Sequence, residues 1–239
     1  MNANVQIPTL NKEHEQPDST AARIRARLLA AGQRFHANDN ISAFLEPGER
    51  EAICKEVEHH VRKTLCALVI DVDHDHNSQD TARRIASMYI NELFSGRYEA
   101  PPAMTRFPNA NALGELQIIG PIAVRSTCSH HLCPIIGQVW IGLLPQPDST
   151  LIGLSKYARL TSWIMRRPQI QEEAVVHLAD ELEQQLNPTG LAVLMRAQHY
   201  CMHWRGVRDE NAMMTNTVMR GALFEDATLR HEFLTLIGS

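Results

Sequence analysis

The sequence predicts an α+β protein built on an antiparallel four-stranded sheet, and three observations carry that reading. Apolar residues recur at helical spacing through the N-terminal part of the chain. Period-two patterns begin near Gly114 and return after Gly190. Two further helical patterns lie between those strand runs. Helices and strands are therefore segregated rather than alternating, which argues against a doubly wound parallel sheet. The expected order is N-terminal helices, two strands, two helices, two strands and a closing helix.

Each element has its own signal. Residues 1–17 are polar, contain two prolines and show no period, so a disordered arm is expected there. Ser19 or Thr20 caps a short helix over 21–31, with Ile24, Leu28 and Leu29 on one face; Gly32 and Asn38-Asp39-Asn40 end it. A longer helix is expected from about Pro47 to Val69, striped by Ile53, Val57, Val61, Leu65 and Leu68. After a polar loop, Ser78 or Asp80 caps a third helix whose Ile85, Met88, Tyr89, Ile90 and Leu93 face inward and which closes at Gly96. The proline- and asparagine-rich stretch 98–113 reads as an irregular connection. Strands follow over 115–127 and 134–145, and these two runs form an antiparallel pair. Helices over 155–167 and 169–186 stop before Pro168 and at Asn187-Pro188-Thr189-Gly190. Strands over 191–202 and 212–224 and a helix over 228–237 complete the chain. The expected organisation is an arm (1–17), a helical region (18–97) and a catalytic domain (98–239).

Composition removes several classes of function. The chain has 239 residues, is 44% hydrophobic and 21% charged, and carries a net charge of −4. That balance gives no bulk attraction to nucleic acid or an anionic membrane, so neither is an expected partner. No apolar run approaches the roughly 20 residues of a membrane span, and no basic segment precedes an apolar one at the N-terminus. The five cysteines are odd in number and lack framework spacing, which favours a reducing, cytoplasmic setting with free or metal-bound thiols.

Chemistry concentrates in Ser126-Thr127-Cys128-Ser129-His130-His131-Leu132-Cys133-Pro134 and, far downstream, His199-Tyr200-Cys201. Thiolates and imidazoles are the donors zinc prefers. Cys128 and His131 are three apart, so a turn brings both to one ion, and Cys201 supplies a third ligand if its strand lies alongside. Three protein ligands leave a coordination position for water, the pattern of a catalytic site. The competing reading of each residue alone is a buried structural cysteine or a core histidine.

From about Ser78 to Ile237 the chain resembles GTP cyclohydrolase I, a family of tunnelling-fold enzymes of pteridine biosynthesis. The matching pieces are Asp80-Thr81-Ala82-Arg83-Arg84 with Met88-Tyr89, the Ser126–His131 stretch, Ile152-Gly153-Leu154-Ser155-Lys156-Tyr157-Ala158-Arg159, Arg167-Pro168-Gln169-Ile170-Gln171-Glu172, His199-Tyr200-Cys201, Arg205-Gly206 and Thr228-Leu229-Arg230-His231-Glu232-Phe233-Leu234, in family order.

The resemblance implies zinc-dependent hydrolysis of GTP to 7,8-dihydroneopterin triphosphate and formate. Zinc-activated water attacks guanine C8, the first step of tetrahydrofolate and pteridine biosynthesis. It implies Cys128, His131 and Cys201 as zinc ligands and His130 and His199 as proton-transfer groups. Glu172 with Gln171 would hold the guanine edge. Lys156, Arg159 and Arg205 would hold the triphosphate, with Ser155 near the ribose or phosphates. Arg84 matches an arginine that reaches a neighbouring subunit's site, and the implied assembly is a homodecamer of two pentameric rings. Four departures stand out: Ser129 where the family usually has Glu, Ala82 where it usually has Pro, Ser87 where it often has Lys, and Ala212-Met213-Met214-Thr215-Asn216-Thr217-Val218-Met219-Arg220 where it has a threonine-rich stretch. They keep a second function class open, a pteridine- or nucleotide-binding paralog without catalysis or with altered specificity.

Weaker signals receive bland readings. Asp73-His74-Asp75-His76 is expected to be a solvated loop, Cys54 and Cys66 core residues, and Cys133 a packed or redox-sensitive thiol. Strand alternation places His203 on the same side as Cys201.

Overall fold

A computed structural model describes residues 19–238, so the arm expected over 1–17 lies outside the described residues. The chain divides into two compact units, Met1–Ala100 and Pro101–Ser239.

The first unit is helical. Helix α1 (Thr20–Ala30) starts where Ser19 accepts a hydrogen bond from the Ala22 N–H, the expected cap. Helix α2 (Glu49–Ala67) stops two residues earlier than the apolar pattern suggests. Leu68 is 65% exposed and Val69 sits at φ 62°, so neither extends the inward stripe. Ile24, Leu28, Ile41, Ile53 and Ile90 form this unit's main core. Buried Glu49 ties the layer together, pairing with Arg27, which also reaches Glu46 at 3.1 Å and donates to the Phe44 carbonyl at 3.1 Å.

Helix α3 (Thr81–Ser87) runs on into a π-helical segment, Met88–Leu93, and then a turn, α4 (Ser95–Tyr98). The buried face is Ala82, Ala86, Ile90 and Phe94 rather than Ile85, Met88 and Leu93. A strict spacing of four drifts around an α-helix, and the wider π turn absorbs the drift. Gly96 does not terminate this region; it is buried inside α4.

The second unit is the sheet. Strands β2 (Gln117–Cys128), β3 (Pro134–Leu144), β6 (Gly190–His199) and β7 (Met213–Gly221) form an antiparallel, curled four-strand body, with helices α5 (Leu154–Met165) and α6 (Gln171–Leu186) inserted between β3 and β6. This is the expected tunnelling-fold arrangement. Three short strands were not expected. β1 (Arg106–Pro108), inside the stretch read as an irregular connection, pairs with β4 (Thr150–Ile152), which lies between the expected strand and helix. β5 (Pro168–Gln169) runs parallel to the end of β2, so α6 begins at Gln171 rather than Gln169.

Both faces of the sheet are covered. Ile135, Val139, Ile141 and Leu143 of β3 and Leu191, Val193 and Met195 of β6 pack with α5 and α6. Ala192 and Leu194 point the other way, against Leu223 of the short helix α8 (Ala222–Glu225) and Phe233 of α9 (Ala227–Leu236). This accounts for the unbroken apolar run of β6, whose first six residues are all buried. Strand β6 ends at His199, and Tyr200–His203 wind into a helical turn, α7, instead of extending the strand. His203 therefore does not alternate with Cys201; its ring packs on Tyr200, centroids 4.9 Å apart.

Candidate functional site

The β2–β3 hairpin and the end of β6 build the site. Residues 129–133 close the hairpin. The Leu132 N–H donates to the Cys128 carbonyl at 2.8 Å and the Cys128 N–H to the Cys133 carbonyl at 2.9 Å, with Leu132 at φ 52°. The tight return folds His131 back over Cys128. Register does the rest. Ile135 pairs with His199, so the chain leaving β6 passes beside the hairpin loop and carries Cys201 to it. The Sγ atoms of Cys128 and Cys201 and a ring nitrogen of His131 all lie within 4.8 Å of one another. Around a tetrahedral zinc such atoms are separated by about 3.3–3.8 Å, so the set closes on an ion with small rotamer changes. It is the only such group of three or more among the described residues.

A buried polar layer holds the hairpin in place. Gln169 donates its side-chain N–H to the Ile164 carbonyl at 2.8 Å and to Ser126 Oγ at 3.3 Å, while its backbone carbonyl accepts the Ser129 N–H at 3.2 Å. Arg167 is buried with its guanidinium 4.1 Å from the centre of the Trp163 ring. Cys133 is buried, its Sγ directed at the His131 carbonyl at 3.6 Å. Burial pushes the Cys201 thiol above its ordinary value, and the neighbouring Cys128 and Cys133 sulfurs add to the shift. A metal entering this group must therefore displace protons.

His199 sits beside the triad, half-buried. Its Nε2 is 2.8 Å from Gln171 Oε1. Burial lowers its pKa, and the nearby Glu172 carboxylate opposes that. Glu172 is exposed in the first turn of α6, whereas Gln171 is fully buried. The Gln171 amide donates to the Met195 carbonyl at 3.2 Å and the Met214 carbonyl at 3.1 Å. This corrects the expectation for Gln171: its side chain is committed inside the fold and does not join Glu172 at an open edge. His130 is exposed, its ring 6.4 Å from that of His131 and nearly perpendicular to it.

The cations fall into two groups. Ser155, Lys156 and Arg159 lie on the first turns of α5, and Arg205 lies in the exposed segment after α7. Among the described residues no carboxylate pairs with Lys156, Arg159 or Arg205. Arg84 belongs to the first unit, on α3, where Asp80 accepts from it at 3.5 Å and from Arg83 at 3.1 Å. Asp73, His74 and His76 are exposed and Asp75 is partly buried, and among the described residues none of the four joins a group that could hold a metal; Cys66, expected in the core, is exposed.

Sequence reasoning missed Gln169 and the inward role of Gln171. Arg167, Pro168, Gln169 and Gln171 are buried while Glu172 is exposed, and nothing in the sequence of this stretch marks that difference. A polar side chain in a helix's first turn ordinarily reads as solvated.

A curled antiparallel sheet that delivers two thiols and an imidazole to one point, beside a half-buried histidine, has the architecture of the tunnelling-fold class and a group that could hold a metal ion. Comparison with known proteins narrows this. A sequence model of GTP cyclohydrolase I matches residues 57–238. The protein called GTP cyclohydrolase 1 from Shewanella putrefaciens is 37% identical over 215 residues, 90% of this chain and 96% of its own. Those of Corynebacterium aurimucosum and Aliivibrio salmonicida are 35% and 33% identical, over 84% and 90% of this chain and 100% and 96% of theirs. The chain belongs to the GTP cyclohydrolase I family of enzymes. No described helix is long and apolar enough to cross a membrane.

Proposed function

We propose that this protein is a zinc-dependent GTP cyclohydrolase I, converting GTP and water to 7,8-dihydroneopterin triphosphate and formate. The observation that carries the reading is the convergence of Cys128, His131 and Cys201 within 4.8 Å beside His199. The donor set suits zinc, which when bound supplies Lewis acidity and lowers the pKa of a water to about 7. The chain's own residues do the remainder. The exposed Glu172 carboxylate accepts hydrogen bonds from the guanine edge. Lys156, Arg159 and Arg205, with no internal carboxylates to neutralise them, hold the triphosphate, and Ser155 on the opening turn of α5 sits by the ribose or phosphates. His130 and His199 move protons between the purine nitrogens and the hydrated carbon during ring opening. Arg84 serves a neighbouring subunit's site, in a homodecamer of two pentameric rings. The outer edge of β7, unpaired among the described residues, supports assembly through the sheet.

Incubating the zinc-loaded protein with GTP tests this. Formate and fluorescent oxidised neopterin are the expected products, and their absence from zinc-loaded, assembled protein contradicts the proposal. Ser129, which leaves the hairpin without the acid usual in the family, favours one other reading: a nucleotide- or pteridine-binding protein without turnover. That reading predicts ligand binding with no formate.

A further inference from the structure

The buried amide of Gln171 dictates which nitrogen of His199 carries the proton. Two backbone carbonyls, Met195 and Met214, lie 3.2 and 3.1 Å from one end of the amide. A carbonyl oxygen only accepts, so that end must be the NH2 group. The oxygen end then faces His199 Nε2 at 2.8 Å. An amide oxygen also only accepts, so Nε2 must be the donor. The reversed amide would set its oxygen against two carbonyl oxygens with nothing to bind them. Gln171 is 0% exposed, so no water takes up the discarded bonds, and an unmet polar group there is costly. The assignment follows from donor and acceptor chemistry alone, the way a tautomer has to be settled.

We propose that Gln171 is a positioning residue that locks His199 in the Nε2–H tautomer and leaves Nδ1 as the nitrogen that exchanges protons with substrate. Nδ1 has no hydrogen-bond partner among the described residues. In the neutral ring it carries the free lone pair. Nε2–H stays on Gln171 throughout, so a proton that His199 takes from the hydrated substrate enters at Nδ1 and leaves from Nδ1 to a substrate nitrogen, and the proton count closes. This deepens the proposed cyclohydrolase reading, which it needs for the catalytic role but not for the tautomer.

The test is two-bond nitrogen–proton NMR on zinc-loaded protein labelled with 15N-histidine, without GTP, the His199 signals being assigned by their loss in His199→Ala. In wild type the pyridine-type nitrogen shift should fall on Nδ1; finding it on Nε2 overturns the proposal, whether or not the protein turns over GTP. Gln171→Leu removes both ends of the amide and should give mixed tautomers, with kcat down about tenfold or more and KM within about twofold. An unchanged tautomer and kcat in folded Gln171→Leu contradicts the proposal. If that variant does not fold, the wild-type spectrum still decides.

Discussion

At the residue scale, the site depends on side chains whose partners lie far away in sequence. Cys128 and His131 are neighbours, but Cys201 reaches them only through β6. Replacing either cysteine with alanine removes one of three ligands and a soft donor, so Cys128→Ala and Cys201→Ala should each purify with far less than one zinc per chain; full occupancy in both variants contradicts the ligand assignment. Circular dichroism separates this loss from unfolding. A second residue, Glu49, contributes to the acid stability of the helical unit. Burial alone would raise its carboxyl, but hydrogen bonds from the Arg27 guanidinium and the Glu46 N–H, with the Arg27 charge, outweigh burial and hold it below its ordinary value. A carboxyl depressed in the folded state contributes stability that is complete above its unfolded pKa, about 4.3, and is lost as pH falls through the folded value. Thermal melts should therefore show Tm dropping below about pH 4, with Glu49→Gln lowering Tm at neutral pH and flattening that drop.

At the element scale, strand register is what turns distant sequence into a site. β3 and β6 pair closely at Gly137 and Ala197, two residues before His199. A Cβ at Gly137 would fall on the Arg196 carbonyl oxygen and Ala197, far inside van der Waals contact. Backbone cannot yield there as a flexible side chain can. Gly137→Val should destabilise the sheet by about 1–3 kcal/mol in denaturant melts and weaken zinc retention by shifting β6. Wild-type stability and metal content in that variant would show that the close pairing is unnecessary.

The order of long elements was legible in the sequence because period-two and helical patterns survive in strands and helices that each bury a face. β1 and β4 escaped notice because strands of three residues carry no period. Tyr200–His203 looked like strand because nothing local marks the end of β6 at His199. That Cys128, His131 and Cys201 come together was legible through spacing and family motifs. Gln171 and Gln169 were not, because a buried amide reveals itself only once the carbonyls around it are known.

At the scale of the whole molecule, a sheet whose β7 edge is unpaired among the described residues, with Met213 exposed on it and Phe224 exposed on the adjoining α8, is a poor terminus for a stable monomer. Light scattering should report a mass many times the 26.9 kDa of one chain, and a monomeric mass at micromolar protein contradicts the ring assembly. The proposed cyclohydrolase reaction is read out by formate release from GTP. Zinc-loaded wild-type protein should release one formate per GTP consumed, and Cys201→Ala should release none. Tight GTP binding without formate from the assembled wild type, or undiminished release from Cys201→Ala, would contradict it.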